Sequence, residues 1–239
     1  MIVTTKAIVL SAIKYSDTSL IVKCFTESNG IKSYLLKGVL TSKKGKLKTA
    51  YFQPLMQLEI VASHRDKGTL ESIREVKVSY HYQTVHNNIY KNALTIFIAE
   101  ILSNSLQEEE RNASLFFYLE SSLQWLDNHN EIANFHISFL LTLTRYLGFF
   151  PDKENIDALY FDLQEGVFIN MPQFNPSLSE EDTIFFKLFL GTIFDEVSAI
   201  KMNHKQRQSL LNGVIWYFEL HLQGFKKPKS LQILNEVFH

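Results

Sequence analysis

The residues best suited to chemistry in this chain are lysines. Lys37, Lys43, Lys44, Lys46 and Lys48 fall within twelve residues, Lys37-Gly38-Val39-Leu40-Thr41-Ser42-Lys43-Lys44-Gly45-Lys46-Leu47-Lys48, a polar stretch punctuated by two glycines. An ammonium on a four-carbon stem is a mobile point charge, good for phosphate and poor at fixed bidentate base reading. A run of them on a loop held by rigid neighbours suits sequence-tolerant contact with a polynucleotide backbone. If about four phosphates are neutralised, log K falls with log salt at a slope of about −3 on single strands. Lys32, Tyr51 and Arg65 are second-rank candidates for the same surface, and Lys6 could extend it. Tyr34, Tyr51 and Phe52 offer rings for base stacking, although Phe52 reads better as core. The competing reading is that the lysines only keep an exposed loop soluble.

Other reactive patterns are missing. Gly38 to Lys44 approaches a phosphate loop, but that motif needs a glycine directly before its lysine, where Lys43 stands. No G-x-S-x-G or H-E-x-x-H occurs. Cys24, the single cysteine, sits in an apolar run and reads as a buried structural thiol. The eight histidines form no ligand cluster: His81 and His86 are five apart, the wrong spacing for one helix face, and His221 reads as a packed side chain donating one hydrogen bond. Glu108-Glu109-Glu110 reads as a solvated loop. No catalytic residue is assigned, and the chain is expected not to be an enzyme.

Behind the lysines stand 239 residues, enough for one large domain or two small ones. The chain is 46% apolar with 19 Phe and 10 Tyr, ample for a core. No apolar run reaches the length of a membrane span, and the N-terminus lacks the pattern of a signal peptide. A cytoplasmic, nucleoid-associated protein is expected. The net charge of −1 conceals an asymmetry: residues 1–83 carry 13 Lys and Arg against 6 Asp and Glu, and residues 84–239 carry 11 against 19. That places a basic module on a more acidic body.

Texture changes where charge does. Up to about residue 80 the apolar residues alternate. Ala7 to Ile13, Ser19 to Thr26, Ile31 to Lys37, a run around Met56, Leu58 and Ile60, and Thr69 to Val78 read as five strands. Tyr15–Thr18, Asn29-Gly30 and Asp66–Gly68 read as turns. Five short strands in this length fit a small closed barrel of the OB-fold type. Beyond residue 82 the period is helical: Phe116, Leu119, Leu123 and Leu126; Ile132, Phe135, Phe139, Leu143 and Leu147; Leu211, Ile215, Phe218 and Leu222. Ser177 and Glu180 have capping-box spacing, and Pro228 could open a last short helix. The expected architecture is α+β in two domains: residues 1–80 as a five-stranded OB-fold barrel, and residues 81–239 as an all-helical domain of five to seven helices. An irregular, hairpin-like insertion is expected at 149–176.

In order along the chain, several segments resemble the bacterial RecO family of recombination mediators. These are Ala7-Ile8-Val9-Leu10, Tyr15-Ser16-Asp17-Thr18-Ser19-Leu20, Phe25-Thr26-Glu27-Ser28-Asn29-Gly30, Lys37-Gly38 with the lysine cluster, and Phe52-Gln53-Pro54-Leu55. Further on come Tyr146-Leu147-Gly148-Phe149-Phe150-Pro151-Asp152 and the terminal Leu222 to Leu231. The resemblance implies an N-terminal OB-fold and a helical C-terminal domain. It also implies binding of single- and double-stranded DNA, strand annealing, a RecR-like partner, the acidic tail of single-stranded-DNA-binding protein as a second partner, and help in loading recombinase onto coated strands. Many family members carry a cysteine zinc module after the Leu-Gly-Tyr-x-Pro segment. Pro151 to Asp157 has no cysteine, so no zinc and no other cofactor is expected. The positions that are basic on the family's central helix read Asn134, Phe135 and His136. The rival readings are an RNA-binding OB-fold module with a helical protein-interaction domain, and an adaptor with merely solubilising lysines.

Overall fold

The computed structural model describes residues 1–41, 47–65 and 70–238. Five strands, β1 (Ile2–Lys14), β2 (Leu20–Thr26), β3 (Gly30–Leu36), β4 (Gln57–Ser63) and β5 (Ser72–Val78), form one antiparallel sheet in the order β3-β2-β1-β4-β5. β1 serves two neighbours. Its first half pairs with β4, from Ile2 opposite Ser63 to Ile8 opposite Gln57, and its second half pairs with β2 as far as Lys14 opposite Leu20. An irregularity between Val9 and Ser11 bends the strand between these two roles. Alternation sends Val22, Cys24, Tyr34, Leu36, Leu58, Ile60 and Ala62 inward, each at most 1% exposed. Cys24 is a structural thiol here, its pKa pushed up to about 12 by burial.

The expected closed barrel is only approached. The edges β3 and β5 meet at one parallel bridge, Tyr34 beside Glu71, with Glu71 N–H donating to the Ser33 carbonyl (2.8 Å) and Leu35 N–H to the Glu71 carbonyl (2.9 Å). The ladder cannot continue because β3 ends two residues later, at Leu36, where Lys37 and Gly38 turn away. The Asp66–Gly68 turn lies outside the described residues.

The β2–β3 turn needs its glycine. Gly30 has φ +59°, and a Cβ there would lie 2.7 Å from the Glu108 carbonyl oxygen. The three glutamates are therefore not a detached solvated loop: their side chains are exposed, but Ile31 N–H donates to the Glu108 carbonyl at 3.0 Å. Helices α1 (Ile89–Ser105) and α2 (Ala113–Asn128) pack with this sheet. Lys23 donates to the carbonyls of Ser103 (2.6 Å) and Leu106 (2.9 Å), placing a cation where the C-terminus of α1 is electronegative. Sheet, α1 and α2 together make one compact unit, Met1–Asn128, and His129–His239 makes another; the change of texture in the sequence falls earlier, near residue 80.

The second unit holds α3 (Phe135–Tyr146), the hairpin β6 (Tyr160–Asp162) and β7 (Val167–Ile169), α4 (Glu180–Phe189), α5 (His204–His221) and α6 (Ser230–Val237). Among the described residues the chain has six α-helices. The hairpin falls within the irregular segment and turns at Gly166 (φ +71°). The α4 cap sits two residues later than the spacing suggests: the Ser179 hydroxyl accepts from Asp182 N–H at 3.1 Å. His221 packs as expected, stacked on Phe149 with Nε2 3.0 Å from the Leu163 carbonyl.

Candidate nucleic-acid interface

The basic loop leaves the sheet at the end of β3 and is pinned at both ends by apolar side chains. Val39 is buried in the sheet core, Leu40 N–H donates to the Thr18 carbonyl (3.1 Å), and Thr41 N–H folds back to the Gly38 carbonyl (3.3 Å). At the other end Leu47 is partly buried, and a 3-10 turn, Thr49–Phe52, buries Phe52. Lys37 and Lys48, one at each foot, are exposed. Lys43, Lys44 and Lys46 lie outside the described residues. The bond from Leu40 to Thr18 joins the loop to the β1–β2 turn, so two loops distant in sequence share one end of the sheet.

Arg65 joins them from a third direction. Its side chain is exposed, its backbone N–H donates to the Glu71 carboxylate at 2.8 Å, and Glu71 is the residue bridged to β3. Twenty-eight positions after Lys37 in sequence, Arg65 is thus carried to the β3 edge by pairing that residue spacing does not reveal.

Other candidates are engaged in contacts within the first unit. Lys32 is 6% exposed, with its ammonium 2.7 Å from the Glu109 carboxylate. Lys6 pairs with Glu120 at 2.8 Å, a hydrogen bond that raises its pKa. Tyr34 is fully buried and its hydroxyl meets His64 Nε2 at 2.9 Å, so it offers no ring to a base. Tyr51 is partly buried against the sheet core. Sequence reading missed Ile13 and Tyr15, which are 59% and 62% exposed at the β1 end. An apolar residue ending a strand reads as core, and only the burial of its neighbours identifies it as surface.

Among the described residues no group of three or more His, Cys, Asp or Glu is arranged to hold a metal ion, and no helix is long and apolar enough to cross a membrane. In the second unit Arg145 lies 4.1 Å over the Phe150 ring. A groove of about 550 Å³ between α5 and α6 is lined by Gln208, Asn212, Lys227, Lys229, Leu231 and Gln232, among others.

Comparison with known proteins matches residues 1–82 to the family model "Recombination protein O N terminal" and residues 86–232 to "Recombination protein O C terminal". Similar curated proteins include DNA repair protein RecO of Flavobacterium psychrophilum (49% identical), of Christiangramia forsetii (48%) and of Phocaeicola vulgatus (35%), each match covering the whole of both chains. With both family models matched in order along the chain and full-length relatives up to 49% identical, this chain belongs to the RecO family.

Proposed function

We propose that the chain is a non-enzymatic DNA repair protein that binds single- and double-stranded DNA, anneals complementary strands and, with a RecR-like protein, helps load recombinase onto coated single strands. Family membership over the full length carries this reading. Exposed Lys37 and Lys48 at the feet of the basic loop, and Arg65, tied to the β3 edge through Glu71, support it, with Lys43, Lys44 and Lys46 adding charge in the sequence between the two feet. Backbone phosphate is the natural ligand of such a surface, because lysine supplies charge without fixed geometry. Annealing requires no nucleotide hydrolysis, in keeping with the broken phosphate-loop pattern at Lys43.

For the acidic tail of single-stranded-DNA-binding protein, the α5–α6 groove has suitable chemistry: Lys227 and Lys229 supply cations beside buried Leu231. The protein works without zinc in this reading, since its one cysteine is buried in β2, far in sequence from the β6–β7 hairpin. Cytoplasmic, nucleoid-associated action follows from a DNA partner. The deciding experiment is strand annealing on DNA coated with single-stranded-DNA-binding protein, with and without its acidic tail. Annealing faster with the tail than without it is expected. No annealing of bare complementary strands would overturn the reading, and preference for RNA of the same sequence would favour an RNA-binding module instead.

A further inference from the structure

The face of the sheet turned away from its core is apolar at one end. Ile13 pairs with Ile21, and Ile21 with Leu35, so three side chains form a row across β1, β2 and β3. The alternate residues, Val22, Tyr34 and Leu36, point inward and are at most 1% exposed. This row is therefore on the outside. Ile13 is 59% exposed, and Ile21 and Leu35 are partly exposed. Tyr15 N–H donates to the Ser19 carbonyl at 3.0 Å, extending the ladder one step past β1. Two positions beyond Ile13, Tyr15 stands on the same side of the strand.

Charge surrounds this row unevenly. Lys37 is exposed where β3 ends, and Arg65 arrives through Glu71, which is bridged to β3 beside Leu35. Leu40, 38% exposed, is tied to Thr18 and extends the apolar surface toward the basic loop. The nearby carboxylate of Asp17 is matched by Lys14 at 3.2 Å. Glu71 is buried and turned to the Arg65 backbone. What remains is a ring and an aliphatic floor flanked by cations.

We propose that this face is a base-stacking platform for single-stranded DNA, with Tyr15 as the stacking ring over a floor of Ile13, Ile21 and Leu35. The proposal rests on the DNA-binding reading above and adds to it a preference for unpaired bases. Lysines alone hold a backbone of either kind of strand. An aromatic face gains only from bases that are free to leave a stack. Duplex DNA keeps its base faces covered and reaches only the cations.

The test measures affinity of the full chain by anisotropy for three probes: a mixed-sequence single strand, the same strand with abasic sites throughout, and the duplex. Tyr15→Ala is expected to weaken binding of the intact single strand about tenfold while leaving the abasic strand and the duplex unchanged. Tyr15→Trp should hold or tighten single-strand binding, and melting temperature checks that both variants fold. Equal losses on intact and abasic strands would overturn the platform, as would a Tyr15→Ala variant that binds like the parent. A change of oligomeric state in Tyr15→Ala would also overturn it, marking the face as a contact between copies. Lys37→Ala with Lys48→Ala and Arg65→Ala should weaken all three probes. If those changes weaken binding and Tyr15→Ala does not, the platform alone fails; if neither does, the DNA-binding reading fails with it.

Discussion

Asp127 keeps its charge although it is 1% exposed. Burial by itself would raise its pKa, but the N–H groups of Gln83, Thr84 and Val85 converge on the carboxylate at 2.8 to 3.1 Å and hold it below the ordinary value. Buried Lys91 donates to the Thr84 hydroxyl (2.6 Å) and the Asp127 carbonyl (2.8 Å), tying residues 83–85 to both helices of the first unit. His136 takes the opposite course. Burial first, and the neighbouring Arg207 second, press its pKa from 6.5 down to about 3, and His204 lines the same small cleft. A histidine that is neutral when folded stabilises fully above its unfolded pKa. Below that value the unfolded chain binds a proton that the folded chain refuses. Stability should therefore fall by about 1.4 kcal/mol per pH unit as pH drops from 6.5 toward about 3. Urea midpoints at about pH 7 and about pH 5 measure this. His136→Leu should flatten the dependence, and a parent whose midpoint does not move would show the imidazole already charged in the fold.

Among the elements, the β6–β7 hairpin is held by rings. Phe161 lies 5.0 Å from Phe168, 4.5 Å from Phe186 and 5.5 Å from Tyr217, centroid to centroid. Three-residue strands are too short to stand alone, so this packing is their support. Elemental analysis of purified protein should find no stoichiometric zinc, a chelator should leave the melting temperature unchanged, and Phe161→Ala should cost about 3–5 kcal/mol; one zinc per chain would overturn the expectation. The hairpin and the five strands were legible in the sequence because alternation and Gly-bearing turns are local signals. The α4 cap slipped from Ser177 to Ser179 because either serine precedes an acidic residue at the same spacing. The candidate interface was legible only in its lysines. Alternation in a strand does not reveal which side is covered, so Tyr34, a candidate for base stacking, is core, while Ile13, at the end of the first strand, is surface. Nor could spacing show Glu109 reaching Lys32 across 77 positions.

At the scale of the whole molecule, what matters is that a nearly neutral chain is divided into a stretch of +7 and a stretch of −8. At physiological ionic strength fields decay over about 8 Å, so a polyanion responds to the local surface and not to the net charge of −1. Replacing Lys37, Lys43, Lys44, Lys46 and Lys48 by Ala lowers residues 1–83 from +7 to +2. If these side chains displace counterions from DNA, that change should weaken binding and flatten the dependence of log K on log salt from about −3 toward zero. Replacing Lys201 and Lys205 by Ala removes charge from the acidic stretch instead and should leave the slope as it was. Anisotropy titrations across a range of salt separate the two, because the slope counts phosphates neutralised and is insensitive to affinity lost through partial unfolding. A quintuple variant with the parent's slope would remove the loop from the interface, whereas a flattened slope alongside intact abasic-strand behaviour in Tyr15→Ala would assign phosphate to the loop and bases to the sheet.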